Sequence, residues 1–255
     1  MNRPMRIAAP LVFVALVLAA WQGAVTALQT PAYFLPGPVA VGRAMAEGAP
    51  LLIQSAWTTL RMALLALPLA SAAACGLAVL LTLSRLADAA IRPVAIVIQV
   101  TPILAIAPLV SIWAGIDHPE RAVIALAAVA AFFPIFSGAM TGLRSADPDL
   151  ERLFDLYGAS RAQRLRRLWL PSAVPYLLEG HRVAAGLAIV GAVVAEFVSG
   201  TGAAQGLAWR ILEAGNRLQT AKVFAALFVL GLMGVAVHVV FQALEAGVLR
   251  RWRGR

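Results

Sequence analysis

Long apolar runs dominate the chain, and polar residues separate them rather than alternate with them. Five runs contain no Asp, Glu, Lys or Arg: Ile7–Leu28, Met62–Ser84, Pro93–Ile116, Ala122–Leu143 and Val223–Leu244. A sixth, from about Pro175 to Ser199, is interrupted by charges near its start and by Glu196. Roughly 20 apolar residues suffice to cross a hydrocarbon layer about 30 Å thick as a helix. Lipid offers the backbone no hydrogen-bond partners, so each run is expected to be helical, prolines and glycines included. The pattern predicts an all-α integral membrane protein with about six transmembrane helices and one transmembrane domain, 1–255. The first run follows "MNRPMR" and is longer than the 7–15-residue apolar stretch of a signal peptide, so a retained helix is expected.

Composition sharpens this reading. The 255 residues are 61% hydrophobic and 13% charged, against about a quarter charged in soluble domains. The lone cysteine, Cys75, allows no internal disulfide and is too little for a zinc site. A net charge of +9 raises the question of nucleic acid, but the distribution answers it. Fifteen of the 21 basic residues fall at the termini and in alternate loops, seven of them between Arg144 and Arg182. The other six are Arg43, Arg61, Arg121, Arg210, Arg217 and Lys222. The positive-inside rule then places both termini and the loop 144–174 in the cytoplasm. Residues 29–56 and 200–222 are placed outside. The first of these outer segments carries "TPAYFLPGPVAV" before a short helix near Val39–Glu47. The second carries "GTGAAQG", read as a flexible surface loop because its glycine spacing is wrong for a dinucleotide fingerprint. No aromatic-interleaved basic motif accompanies the charge, so nucleic acid is not a partner and the lipid bilayer is.

The loop 144–174 holds the most local information. In "SADPDLERLFDLYG", Asp147 suits an N-cap, Pro148 the first helical position, and Asp149 and Glu151 the positive end of the helix. Gly158 suits a left-handed terminus. Leu150, Leu153, Phe154 and Tyr157 fall at i, i+3, i+4 and i+7, on one face. A second short helix is expected from a Ser160 cap to Leu170. It ends at Pro171, after which "PSAVP" turns the chain back towards the membrane. The apolar face has two readings: packing on the protein's own helix ends, or a knob for a cytosolic groove.

The stretch resembles the cytoplasmic loop of permease subunits of binding-protein-dependent ABC importers. That signature is Glu-Ala-Ala, three residues, Gly, nine residues, Ile-x-Leu-Pro. Gly158 is followed nine residues later by "LWLP", Leu168–Pro171. The Glu-Ala-Ala positions fall on Arg152, Leu153 and Phe154, with Glu151 one place early. "TTLRMALLALPLASAAACGLAVLLTLSR", "QVTPILAIAPLVSIWAG" and "LPSAVPYLLEGHRVAAGLAIVGAVVAEFVSG" are similar to the nitrate, sulfonate and taurine group, which includes uptake systems for thiamine precursors and riboflavin. The resemblance implies a type I importer permease in a bacterial inner membrane. Its implied partners are a second permease chain, as a homodimer, a separate ABC ATP-binding subunit and an external substrate-binding protein. ATP and Mg would be bound by the ATPase and no cofactor by this chain, which agrees with the missing G-x-x-x-x-G-K-[ST] loop. The coupling contacts would be Leu150, Glu151, Leu153, Phe154 and Tyr157, with Asp155 and Arg161 setting polar register, Gly158 the turn and Pro171 the return. The alternative is a secondary transporter or channel working without an ATPase. A membrane-embedded enzyme is disfavoured because the three histidines are scattered.

Ionisable groups within the membrane are costly and point to function. Arg61 and Glu196 are expected at similar depth, either paired as a gate or separately reaching water. Gln99, Thr101 and Ser111 either line the translocation path or bond to neighbouring helices, and Pro102 and Pro108 would bend their helix. His238 is expected as a hydrogen-bonded packing residue, and His118 and His181 as interfacial. Trp113, Trp169 and Trp209 are expected as membrane-edge anchors.

Overall fold

The computed structural model describes residues 3–115, 117–199 and 205–252. These residues form helices and connecting turns, with no strand among them. In order, the helices are α1 (Arg3–Ala27), α2 (Pro38–Glu47), α3 (Ala49–Leu83), α4 (Arg85–Val100), α5 (Ile103–Ala114), α6 (Pro119–Leu143) and α7 (Pro148–Leu156). After α8 (Arg161–Arg164) comes a π-turn (Leu165–Trp169), then α9 (Leu170–Ser199), α10 (Leu207–Asn216) and α11 (Thr220–Trp252). Among the described residues, five helical stretches are long and apolar enough to cross a membrane: Ala8–Ala27, Ala49–Leu83, Pro119–Leu143, Arg161–Val198 and Thr220–Trp252.

The expected span Pro93–Ile116 is not one helix. It is split between α4 and α5 at Thr101–Pro102, and Ile116 lies outside the described residues. Pro102 has no N–H to donate and disfavours helical geometry in the residue before it. It becomes the extended N-cap of α5, with φ −62° and ψ 124°. The 12 residues of α5 reach only about 18 Å at 1.5 Å per residue, short of the ~30 Å core.

The expected stop at Pro171 is also absent. Helix continues from Arg161 through the π-turn into α9, with Pro171 and Pro175 inside it. A proline in a helix interior removes a hydrogen bond and crowds the carbonyl four residues back. The wider π-turn lies directly before Pro171, where the Leu170 N–H reaches back to the Leu165 carbonyl, and this change of register accommodates the ring. The segment 200–222, read as a loop, contains α10. Residues 200–204 of its "GTGAAQG" stretch lie outside the described residues.

The chain divides into two compact units, Met1–Trp57 with Gln205–Gly231, and Thr58–Ala204 with Leu232–Arg255. In the first, the Trp21 ring stacks on Phe228 at 6.3 Å and tilts against Phe224 at 5.7 Å. Pro38 opens α2 at its first turn and Val41 is buried. The Thr220 hydroxyl donates to the Tyr33 carbonyl at 2.6 Å, fixing the start of α11.

The core of the second unit is the α6–α9 pair. Its buried positions include Ala122, Ala127, Ala131 and Ala139 on α6, and Ala184, Ala188, Ala192 and Ala195 on α9. Small residues let helix backbones approach closely where lipid gives no hydrophobic drive to associate. The approach leaves no room for a Cβ at four glycines, Gly138 and Gly142 on α6 and Gly180 and Gly191 on α9. A methyl on Gly142 would lie 2.7 Å from the Ala173 Cα, and one on Gly180 would lie 2.8 Å from the Pro134 carbonyl oxygen.

Candidate functional site

Residues 144–174 form a tightly tied cluster built on α7. The Asp147 carboxylate accepts from the Asp149 N–H at 2.8 Å and Pro148 follows it in the first turn. A cap of this kind contributes about 1 kcal/mol. The other end closes as a Schellman turn. The Gly158 N–H bonds to the Asp155 carbonyl and the Ala159 N–H to that of Phe154, both at 3.0 Å. Gly158 has φ +62°, which a residue without Cβ adopts at no steric cost. Helix α8 then opens with a reciprocal capping box between Ser160 and Gln163.

Charged side chains hold α7 against the segment that follows. The Arg164 guanidinium lies 2.5 Å from Asp155 and 3.7 Å from Glu151, and also donates to the Ala159 carbonyl. The Trp169 indole N–H donates to Glu151. Glu151 is thus engaged within the loop, and Trp169 serves the loop rather than standing alone as a membrane-edge anchor. Arg161 does not meet Asp155. It donates to the Leu83 carbonyl at 2.7 Å, satisfying an acceptor that the end of α3 would otherwise leave open.

This arrangement leaves the apolar face of α7 largely uncovered. Leu150 and Leu153 are 46% and 44% exposed, Leu156 85% and Tyr157 82%, while Phe154 is half-buried. Packing of the face on the protein's own helix ends therefore does not account for it. Leu156 was absent from the expected stripe because it falls off the i, i+3, i+4, i+7 line.

The expected partnership of Arg61 with Glu196 is not formed. Arg61 lies inside α3, where its guanidinium binds both carboxylate oxygens of Glu120 at 3.1 Å. Glu196 is 3% exposed and accepts from the Thr59 hydroxyl at 2.7 Å. The side of the helix that Arg61 occupies was not legible in the sequence. Gln99 is exposed on α4. The Thr101 and Ser111 hydroxyls bond back to the Val97 and Ala107 carbonyls, so neither reaches a neighbouring helix, and Pro102 marks the helix break. His181 is inside α9, 2.9 Å from the Ser71 hydroxyl, rather than at a helix end. His238 is exposed on α11 and is not a packing residue.

Comparison with known proteins places this geometry. The family described as "Binding-protein-dependent transport system inner membrane component" matches residues 66–253. A probable ABC transporter permease protein of Haemophilus influenzae is 32% identical over 88% of this chain and 90% of its own length. The formylaminopyrimidine transport permease protein of Halalkalibacterium halodurans is 29% identical over 99% of both chains. The riboflavin transport system permease protein of Chloroflexus aurantiacus is 35% identical over 93% of this chain and 87% of its own. A solved amino acid ABC transporter chain, 17% identical, superposes with a TM-score of 0.65 over 81% of this chain and 96% of that one, which supports the fold. The apolar helices and the family match together make the chain a member of the inner-membrane components of binding-protein-dependent transport systems, a membrane-spanning ABC importer permease that translocates solute and is not itself a catalyst.

Proposed function

We propose that the loop 144–174 couples this permease to its ATPase, with α7 as the part inserted into a groove on the nucleotide-binding subunit. The observation that carries the reading is the uncovered apolar face of a helix capped at both ends. A short amphipathic helix held rigidly is suited to helix-in-groove docking. Leu150, Leu153, Phe154 and Tyr157 supply the contact, with the exposed Leu156 to one side of that face. Arg164 on α8 and Trp169 in the π-turn hold Glu151 and Asp155 of α7, so a push on α7 is transmitted along the continuous helix from Arg161. In this reading both termini and the loop are cytoplasmic, and residues 29–56 and 200–222 face outward with α2 and α10. The 255 residues act as one transmembrane domain, two copies of the chain form the pore, and the cargo is a small solute of the sulfonate and taurine or vitamin-precursor class. Gln99 and Ser111, with Thr101 at the α4–α5 break, are candidates for its path.

The test substitutes Leu153→Asp and Gly158→Pro in the assembled importer. Proline cannot adopt φ +62°, and an aspartate cannot enter an apolar groove without desolvation cost. Each variant should insert in the membrane at wild-type level, lose the ATPase on affinity purification, and lose at least ~90% of uptake, a tenfold drop equivalent to about 1.4 kcal/mol. Wild-type uptake by both variants would overturn the coupling role.

A further inference from the structure

We infer that the first unit carries a binding site for a small organic monoanion with a short aliphatic tail, centred on Lys222. The site is independent of the coupling role of α7. It is a cavity of about 170 Å³ bounded by the end of α2, the start of α3, α10 and the start of α11. That volume is below the 300–1,000 Å³ of pockets for drug-sized ligands, so its occupant is small.

The charge of the cavity decides the sign of the occupant. Arg210, Arg217 and Lys222 line it together with one carboxylate, Glu213. Both oxygens of Glu213 are taken: Arg210 lies 2.8 Å from one and Arg217 3.0 Å from the other. Arg210 is further fixed by donating to the buried Ser55 hydroxyl at 3.0 Å and to Gln205 at 3.3 Å. The two arginines are therefore held in place by protein acceptors. Lys222 is exposed and, among the described residues, has no carboxylate within ion-pair distance. It also borders a more open hollow that includes Arg43 and Glu47, yet it is not paired with Glu47. Three cations against one carboxylate leave the cavity net positive by two charges, which favours an anion.

The walls decide the rest of its chemistry. Leu51 and Leu52 on α3 face the same cavity, and the accompanying residues are mostly alanine. A bare inorganic anion would leave this wall unused, whereas a two- or three-carbon sulfonate or carboxylate places its head at Lys222 and its chain on the leucines. The three cations belong to the set that the charge asymmetry puts on the outer side, where free solutes arrive.

The full-length permease in zwitterionic nanodiscs, without its binding protein, should bind ethanesulfonate, measured by titration calorimetry. Binding should weaken as salt is raised. Lys222→Ala should weaken it at least ~tenfold, Lys222→Arg should keep it within about threefold, and ethylammonium should not bind. Leu52→Ser should weaken ethanesulfonate while leaving inorganic phosphate unchanged. Undetectable ethanesulfonate binding, or equal binding by Lys222→Ala, would refute the site. So would tighter binding of inorganic phosphate than of ethanesulfonate, which would assign the pocket to phosphate or lipid headgroups. If Lys222→Ala spared ethanesulfonate but loosened the external binding protein, the cavity would be a protein contact instead. The Gly158→Pro variant should bind ethanesulfonate normally, so failure of the coupling reading and failure of this one are separately visible.

Discussion

Thr59 and Glu196 concentrate the electrostatic cost of the fold at two side chains. Both are buried, and the Thr59 hydroxyl donates to the carboxylate at 2.7 Å. A hydrogen bond to a charged group contributes about 1.5–3 kcal/mol. Thr59→Val preserves shape but removes the donor, so it should lower the thermal stability of the detergent-purified chain by that amount, whereas Thr59→Ser should restore most of it. Equal melting of Thr59→Val and wild type would mean that this hydrogen bond adds nothing. Glu196 was legible as significant from its position in an apolar run, because a charge there is expensive. Its partner was not legible, since Thr59 is 137 residues away and no local rule connects them. Depth allows Arg61 to pair with Glu196 or to reach water separately, and the side chain instead pairs with Glu120. Depth follows from counting residues along a helix, but which face a side chain occupies depends on how the helices rotate against one another.

Helix contacts set the next level. The α6–α9 seam is closed by residues too small to hold the backbones apart. Gly142→Val should force the Cβ into the Ala173 backbone, where the space is already filled to 2.7 Å. Overpacking of this kind costs about 1–3 kcal/mol, to be read as a lower melting temperature and faster trypsin cleavage in detergent. Gly186→Ala on the same α9 meets nothing within 4 Å and gains up to about 1 kcal/mol of helix propensity. It should melt at or above wild type. If both variants behaved alike, close approach would not be what selects glycine at 142. The ends of α7 were readable because capping is written in adjacent residues: Asp147, Pro148 and Gly158 each act within one turn. The π-turn before Pro171 was not readable, because proline in an isolated peptide reads as a stop. Here the packed helices on either side keep the segment helical. α10 was missed for the opposite reason. Leu207, Ile211 and Ala214 carry a helical period, but the glycine-rich run before them dominated the reading.

At the scale of the whole molecule, the arginine asymmetry predicts that both termini are cytoplasmic. Green fluorescent protein fused after Arg255 should fluoresce, and alkaline phosphatase fused there should be inactive, since the first folds in the cytoplasm and the second needs the oxidising exterior. The reverse pair of results would invert the topology and move α7 away from any cytoplasmic ATPase.

The sequence by itself determined the class of protein, the positions of five of the six expected apolar helices, the capped helix of the loop and the family signature. Each of these is a sum over neighbouring residues, whether hydropathy over about 20 positions or hydrogen bonds within a turn. Tertiary structure alone decided which charges pair, that α7 keeps its apolar face open while Arg164 and Trp169 bind its polar side, and that Lys222 shares a cavity with two arginines already satisfied by Glu213. Those outcomes depend on distances between residues far apart in the chain, which are fixed only when the helices pack.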